Sequence, residues 1–534
     1  MIWALLFALG SLVSLAQAAV GPSATLTVAN QVIAPDGFQR SAVLVNGMYP
    51  SPLIVGNKGD TFNLNVVNSL TDATMLRSTS IHWHGIFQHG SSWADGPVGI
   101  NQCPISPDHS FLYTFSVPDQ AGTFWYHSHF GTQYCDGLRG PLVIYDPNDP
   151  YKHLYDGNCH LTDEYAESTV ITLGEWYHTP APSVVGVASA DSTLINGKGR
   201  SVGGPLVDLT VLRVEQGRSY RFRLVSISCD SNYIFSIDGH QLTVIEVDGE
   251  NVLPYTVDQI QIFTGQRYSF ILNATQPVDN YWARALPNNG LNGLARGFTD
   301  GSNSAILRYE GATDADPTTS QPTNPTLLDE SQLVPFEDPA APGPPTLGEA
   351  DVSINLALSF NRTNSRFYIN GTSFEPPSVP ILLQLLSGAR NAQDILPAGS
   401  IYTLPPNKVV EVSIPAGIVG GPHPFHLHGH PFSVVRSAGA DASYNYVNPV
   451  RRDVVSLGAA GSNVTIRFTT DNAGPWIMHC HIEWHLELGL AIVFAEDTPV
   501  AGARNTPDSW KELCPIYKAL PATATSVTIV PTVA

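Results

Sequence analysis

Three stretches of this chain can be laid over one another, and that repeat limits the fold more than any other feature. "DQAGTFWYHSH" begins at Asp119, "QPVDNYWARAL" at Gln276 and "DNAGPWIMHCH" at Asp471. Each turns through polar residues into an aromatic-rich run, and each follows an alternating stretch, at Thr61, Ser219 and Val409. Runs such as "TFNLNVVN", "SYRFRLVS", "VVEVSI" and "VTIRFTT" put apolar side chains on one face of an extended chain. They close at Gly, Pro, Asn or Asp, as short half-buried strands do. No long amphipathic helix stands out. The expectation is an all-β protein of three consecutive β-sandwich or Greek-key domains. At 534 residues the chain is long enough for several cores. Boundaries near Asp149 and in "DADPTTSQPTNPT" divide it into 19–149, 150–318 and 319–534.

The stretch before residue 19 is different. "MIWALLFALGSLVSLAQA" is apolar, short for a membrane span, and ends in the small-x-small pattern Ala16-Gln17-Ala18, so residues 1–18 read as a secretory signal and the protein as extracellular. No later run reaches spanning length, so no membrane partner is expected. A formal charge of −20 repels phosphate backbones and argues against nucleic acid. Sequons at Asn273, Asn361, Asn370 and Asn463 fit an exported glycoprotein. Six cysteines invite three disulfides, unless Cys480 is a ligand, in which case five remain and one is unpaired.

Histidine placement points to chemistry. Five H-x-H pairs occur, at 82/84, 127/129, 426/428, 428/430 and 479/481, whereas 17 histidines placed at random would give about half a pair. In a strand, residues two apart share a face, so His82 points with His84, His127 with His129, and His426 with His428. His423, an odd number of steps from His426, faces the other way. The same parity sets His479 and His481 on one face and Cys480 on the other, with His485 returning past a turn to the thiol side. A thiolate with two imidazoles suits copper in both oxidation states, and zinc is the rival metal. A zinc site leaves unexplained eight further histidines, at 82, 84, 127, 129, 426, 428, 479 and 481. These come from the first and last thirds, so a cluster they form sits between those thirds. The middle repeat has Arg284 and Leu286 at the matching positions and is expected to carry no ligand.

Four segments, "HWHG" (82 to 85), "GTFWYHSHFGTQYCDGL" (122 to 138), "HPFHLHGH" (423 to 430) and "GPWIMHCHIEWHLELGL" (474 to 490), stand in an order that resembles the fungal laccases of the multicopper oxidase family. The resemblance covers nearly the whole chain and implies three cupredoxin-like domains. It implies four copper ions: a type 1 ion on His423, Cys480 and His485, a type 2 ion on His82 and His426, and a type 3 pair. His84, His127 and His481 match one type 3 set, and His129, His428 and His479 the other. By the same resemblance electrons pass from Cys480 through His479 and His481. Leu490 falls at the axial type 1 position, where leucine does not coordinate, and it also reads simply as core. The family usually has Asp where Glu483 stands here.

The implied activity is one-electron oxidation of phenols and aromatic amines coupled to four-electron reduction of dioxygen to water, by a monomer, in lignin degradation or detoxification. Asp230 matches an acid that accepts the phenolic proton, and Asp95, in "ADGP", matches a proton donor; each also reads as an ordinary turn acid. Phe360 would line the substrate pocket beside His485. The resemblance pairs Cys103 with Cys514 and Cys135 with Cys229, leaving Cys159 without a counterpart. His89, His109, His153, His160, His178, His240 and His430 read as ordinary surface or core residues. Two other readings stay open at this point: a ferrous-ion or ascorbate oxidase on the same scaffold, and a copper store or electron carrier without catalysis.

Overall fold

In the strand Thr61–Ser69 the side chains alternate between solvent and interior, with Phe62, Leu64 and Val66 fully buried. Each such apolar side chain contributes on the order of 2 kcal/mol by leaving water. A computed structural model describes residues 19–156, 169–288, 298–439 and 442–527; the 1–18 segment and Cys159 lie outside them.

The repeat read from the sequence recurs as topology. Thr61–Ser69 pairs parallel with Ser23–Ile33 and antiparallel with Ser110–Ser116. Ser219–Ser226 pairs in the same two senses with Val170–Trp176 and Arg267–Asn273, and Val409–Pro415 with Val352–Asn355 and Asn463–Thr469. The three aromatic-rich stretches form the strands Gly122–Ser128, Asn280–Pro287 and Gly474–Cys480. Each lies between the strand that follows it in the chain and one that precedes it. For the first these are Arg139–Tyr145 and Ile81–His84, for the second Ser304–Tyr309 and Tyr233–Ile237, and for the third Ala491–Glu496 and Pro424–Leu427. Among the described residues three units of two main sheets each therefore follow one another along the chain, the third with an added hairpin of Leu358–Asn361 and Arg366–Ile369, the all-β cupredoxin-like arrangement expected.

Packing departs from chain order at the C-terminal end. The helix Asp508–Lys518 sends Trp510, Leu513 and Cys514 into the buried cluster of the first unit. The Cys103–Cys514 disulfide fixes it there, while Cys135–Cys229 ties the first unit to the second. No helix among the described residues is long and apolar enough to cross a membrane. Asn273, Asn361 and Asn370 are exposed and Asn463 is half-buried.

Candidate metal centre

Strand register brings the histidines together. His82 lies opposite His127 across one antiparallel pair, and His426 opposite His479 across another. Because side chains alternate, each pair adds its neighbours two residues away to the same face. Ligand-capable nitrogens of His82, His84 and His426, of His84, His127 and His481, and of His129, His428 and His479 lie within 4.8 Å of one another in three adjoining groups. Cys480 faces the opposite way with His423 and His485: Sγ is 3.6 Å from Nδ1 of His423 and 3.5 Å from Nδ1 of His485. The two ring nitrogens are 3.1 Å apart. His485 rides on the short helix Glu483–Glu487, which turns it back toward the thiol.

The imidazoles are oriented one nitrogen at a time. Nδ1 of His82 bonds the carbonyl of Asp95 at 2.8 Å, that of His127 the carbonyl of Ser128 at 2.8 Å, and that of His426 the carbonyl of Asp453 at 2.9 Å. Their Nε2 atoms, with those of His129 and His423, are buried and have no hydrogen-bond partner. Nε2 of His428 faces Nε2 of His479 at 3.2 Å, and Nε2 of His481 faces Nδ1 of His84 at 3.2 Å. A carbonyl partner places the proton on the bonded nitrogen and leaves the other with a bare lone pair, as for ligating histidines.

Burial and neighbouring histidines hold the rings of His84, His127, His129, His426, His428 and His481 well below the ordinary imidazole range. Burial takes His423 and His479 to about 4. The rings are thus neutral donors in mild acid. Burial pushes the Cys480 thiol up, so a coordinated cation is what would make it a thiolate. Orphaned nitrogens, neutral rings and one buried sulfur fit copper at these positions. Leu490, fully buried, donates its N–H to the His485 carbonyl and accepts from the Cys480 amide at 3.0 Å each, and its side chain packs in the same cluster as Cys480.

Around this core the structure gives acids distinct positions. Asp95 is not a solvent-facing turn acid: its carboxylate is fully buried, 3.2 Å from Nδ1 of His82 and 2.9 Å from Nδ1 of His428. The turn that delivers it needs Gly96 at φ +105°, where a Cβ would lie 2.0 Å from the Ile81 carbonyl oxygen. Burial raises the Asp95 carboxyl. Asp230, half-buried, follows the disulfide cysteine Cys229, whose carbonyl accepts the Glu483 N–H at 2.9 Å, two residues before His485.

Several contributors were not found by sequence reasoning. Asp453 approaches His84 Nε2 at 3.3 Å and is gripped by both terminal nitrogens of Arg267, at 2.6 and 2.7 Å. Burial, opposed by Arg267, pushes its carboxyl up to about 6. The charged triplet "RRD" amid apolar residues 450–456 was the available signal. Arg267 and Gly265 come from the middle unit, which therefore touches the cluster without supplying a histidine. A Cβ at Gly265 would press on His481 at 2.9 Å and His84 at 3.1 Å. On the thiol side it is Phe367 whose ring meets His485, at 4.8 Å between centroids, while Phe360 packs behind it at 4.7 Å. These two residues are cross-strand partners in one hairpin.

Sequence profiles of the multicopper oxidases match residues 27–149, 167–312 and 374–500. The chain is 60% identical over 524 residues to a laccase of Trametes hirsuta, covering 97% of this chain and 98% of that one. It is 59% identical over 510 residues to a laccase of Phlebia radiata, with 95% and 96% covered. Among solved structures, the laccase of Botrytis aclada superposes with a TM-score of 0.79 at 32% identity, over 95% of this chain and 94% of that one. Fet3p, a multicopper oxidase that functions in iron import, gives 0.79 at 26% identity, with 93% and 95% covered.

Proposed function

The chain belongs to the multicopper oxidase family, among its laccases, and from that premise we propose which residues hold copper and which handle substrate and protons. The enzyme withdraws single electrons from phenols and aromatic amines and delivers four to dioxygen, giving two waters. The observation that carries the assignment is the pair of back-to-back donor sets joined at Cys480: bare Nε2 atoms gather on the cluster side, and Nδ1 of His423 and of His485 meet Sγ on the other.

On this reading four copper ions bind. His423, Cys480 and His485 hold the type 1 ion and His82 and His426 the type 2 ion. His84, His127 and His481 take one type 3 ion, and His129, His428 and His479 the other. Bound there, copper supplies the one-electron acceptance and the reduction of dioxygen. The protein supplies the path: Cys480 is covalently continuous with His479 and His481, so an electron leaving the substrate side crosses few bonds. Leu490, which has no donor atom in its side chain, would keep the surroundings of an ion held by His423, Cys480 and His485 apolar.

A phenol at the exposed edge of His485 meets half-buried Asp230, whose carboxylate takes the hydroxyl proton as the electron departs, so a neutral phenoxyl radical leaves. Asp95 fixes His82 and His428 by their Nδ1 atoms and, with a carboxyl raised by burial, is a proton donor toward the cluster. Asp453 holds His84 from the other side. We place this chemistry outside the cell, in a monomeric glycoprotein cleaved before Ala19. Iron or ascorbate oxidation is the weaker reading, since the relatives near 60% identity are laccases while the iron-import oxidase shares 26%. Copper quantitation with oxygen uptake on guaiacol tests the assignment: four coppers per chain and steady oxygen consumption are expected. Fewer than four in fully loaded enzyme, or dioxygen left untouched, overturns it.

A further inference from the structure

We propose that Glu175 is a positioning residue for Asp230: its buried carboxylate grips the backbone on both sides of that acid and sets where the phenolic proton is received. The proposal rests on the reading of Asp230 as proton acceptor given above. Glu175 belongs to the strand Val170–Trp176, in which every residue is buried, and is itself 0% exposed. Its Oε1 accepts the N–H of Cys229 at 2.6 Å, and its Oε2 accepts that of Ser231 at 3.4 Å. Residues 229 and 231 flank Asp230 in a bend outside any strand, so no ladder holds them.

Two buried amides of a bend need acceptors. An ionised carboxylate offers two acceptor oxygens and no donor, and bonds to it are the stronger, charge-assisted kind. Arg139, fully buried, stands 3.6 Å from Oε1 and makes that charge tenable. Its guanidinium also donates to the Ile227 carbonyl at 2.7 Å and to the carbonyl of Glu175 itself at 2.6 Å, binding strand and bend into one body. The bend is anchored on its other sides by the Cys135–Cys229 disulfide, by the Glu483 N–H on the Cys229 carbonyl at 2.9 Å, and by Thr264 Oγ1 on the Ser231 carbonyl at 3.3 Å. Glu483 begins the helix that carries His485, so the acid and that histidine are referenced to one strut. Support of the fold alone is served by satisfying those two amides and by the ion pair with Arg139. Straddling Asp230 additionally fixes the acid against the substrate hydroxyl, where a misplacement of about 1 Å is enough to slow proton transfer severely.

The test compares kcat/KM for guaiacol, which loses a proton with its electron, and for ferrocyanide, which loses only an electron. Glu175→Gln and Glu175→Asp are made in the wild-type and in the Asp230→Asn enzyme, with copper content and blue absorption checking that each is intact. Glu175→Gln is expected to lower the guaiacol-to-ferrocyanide ratio roughly tenfold. Glu175→Asp, which keeps the charge beside Arg139 and carries the test should the Gln variant not fold, lowers it less. Neither lowers it further once residue 230 is Asn. An equal fall for both donors, or the same fall added on top of Asp230→Asn, overturns the proposal. Asp230→Asn enzyme with a wild-type ratio overturns the reading of Asp230, and the proposal with it. A ratio lowered in Asp230→Asn but unchanged in both Glu175 variants overturns the proposal alone.

Discussion

The strands Asn280–Pro287 and Gly474–Cys480 hold the same place in their sheets, yet they do different work. Across the strand, His426 faces His479 in the last unit and His82 faces His127 in the first, whereas in the middle unit Ser236 faces Arg284. Arg284 is satisfied locally, with bonds of 2.9 and 2.7 Å to the two carboxylate oxygens of Asp238. The fold thus accepts either a closed ion pair or an open set of donors at this position. The histidine cluster arises where both strands of the pair carry histidine and a second unit brings a matching pair to the same interface. The middle unit meets neither condition and serves the cluster through Arg267 and Gly265 instead.

Breaking the donor set at its junction has the largest expected effect. Cys480→Ser should abolish the blue colour and substrate oxidation while leaving most cluster copper, as read by absorption and metal analysis; full activity would remove Cys480 from the ligand set. Next comes the closed pair. Arg284→Leu strands the buried Asp238 and should cost about 3–5 kcal/mol in denaturant unfolding without changing copper stoichiometry. Adding Asp238→Asn should recover much of that loss. A drop in copper content would show that the middle pair is not independent of the cluster.

On the substrate side, Asp230→Asn should slow phenols about tenfold to a hundredfold while sparing donors that lose no proton. Equal losses on both would strip the acid of its role. The smallest effect concerns the seam between the first two units. There Glu246 accepts the Thr123 N–H at 2.6 Å and bonds Arg221 at 2.5 Å. Burial opposes ionisation, but Arg221 and Arg223 prevail and hold the carboxyl below its ordinary value of 4.5. A depressed carboxylate stabilises the fold at pH above that ordinary value and ceases to as pH falls through the folded one. Unfolding midpoints should therefore drop on acidification below about 4.5 in the wild type and less steeply in Glu246→Gln.

Much was legible in the residues because the signals were local. Period-two alternation marked the strands, and the spacing of the H-x-H pairs placed imidazoles on one face and Cys480 on the other. The resemblance supplied both disulfide pairings, which the structure contains. Asp453, Phe367 and Glu175 were missed for a common reason. Each makes its contact with a residue distant in the chain, and no neighbouring residue, not even the two arginines before Asp453, marks which residue that partner is. Asp95 shows the converse, since "ADGP" reads as a turn until its burial between two histidines is seen.

By itself the order of residues determined the strand periodicity, the threefold repeat and which side chains could share a face, because these follow from the geometry of an extended chain. Only the tertiary structure decided that the C-terminal helix buries Trp510 and Leu513 on the first unit, and that Arg267 of the middle unit reaches Asp453 of the third. Those outcomes depend on how buried surfaces fit and how buried charges find partners across hundreds of residues, and no local pattern encodes them.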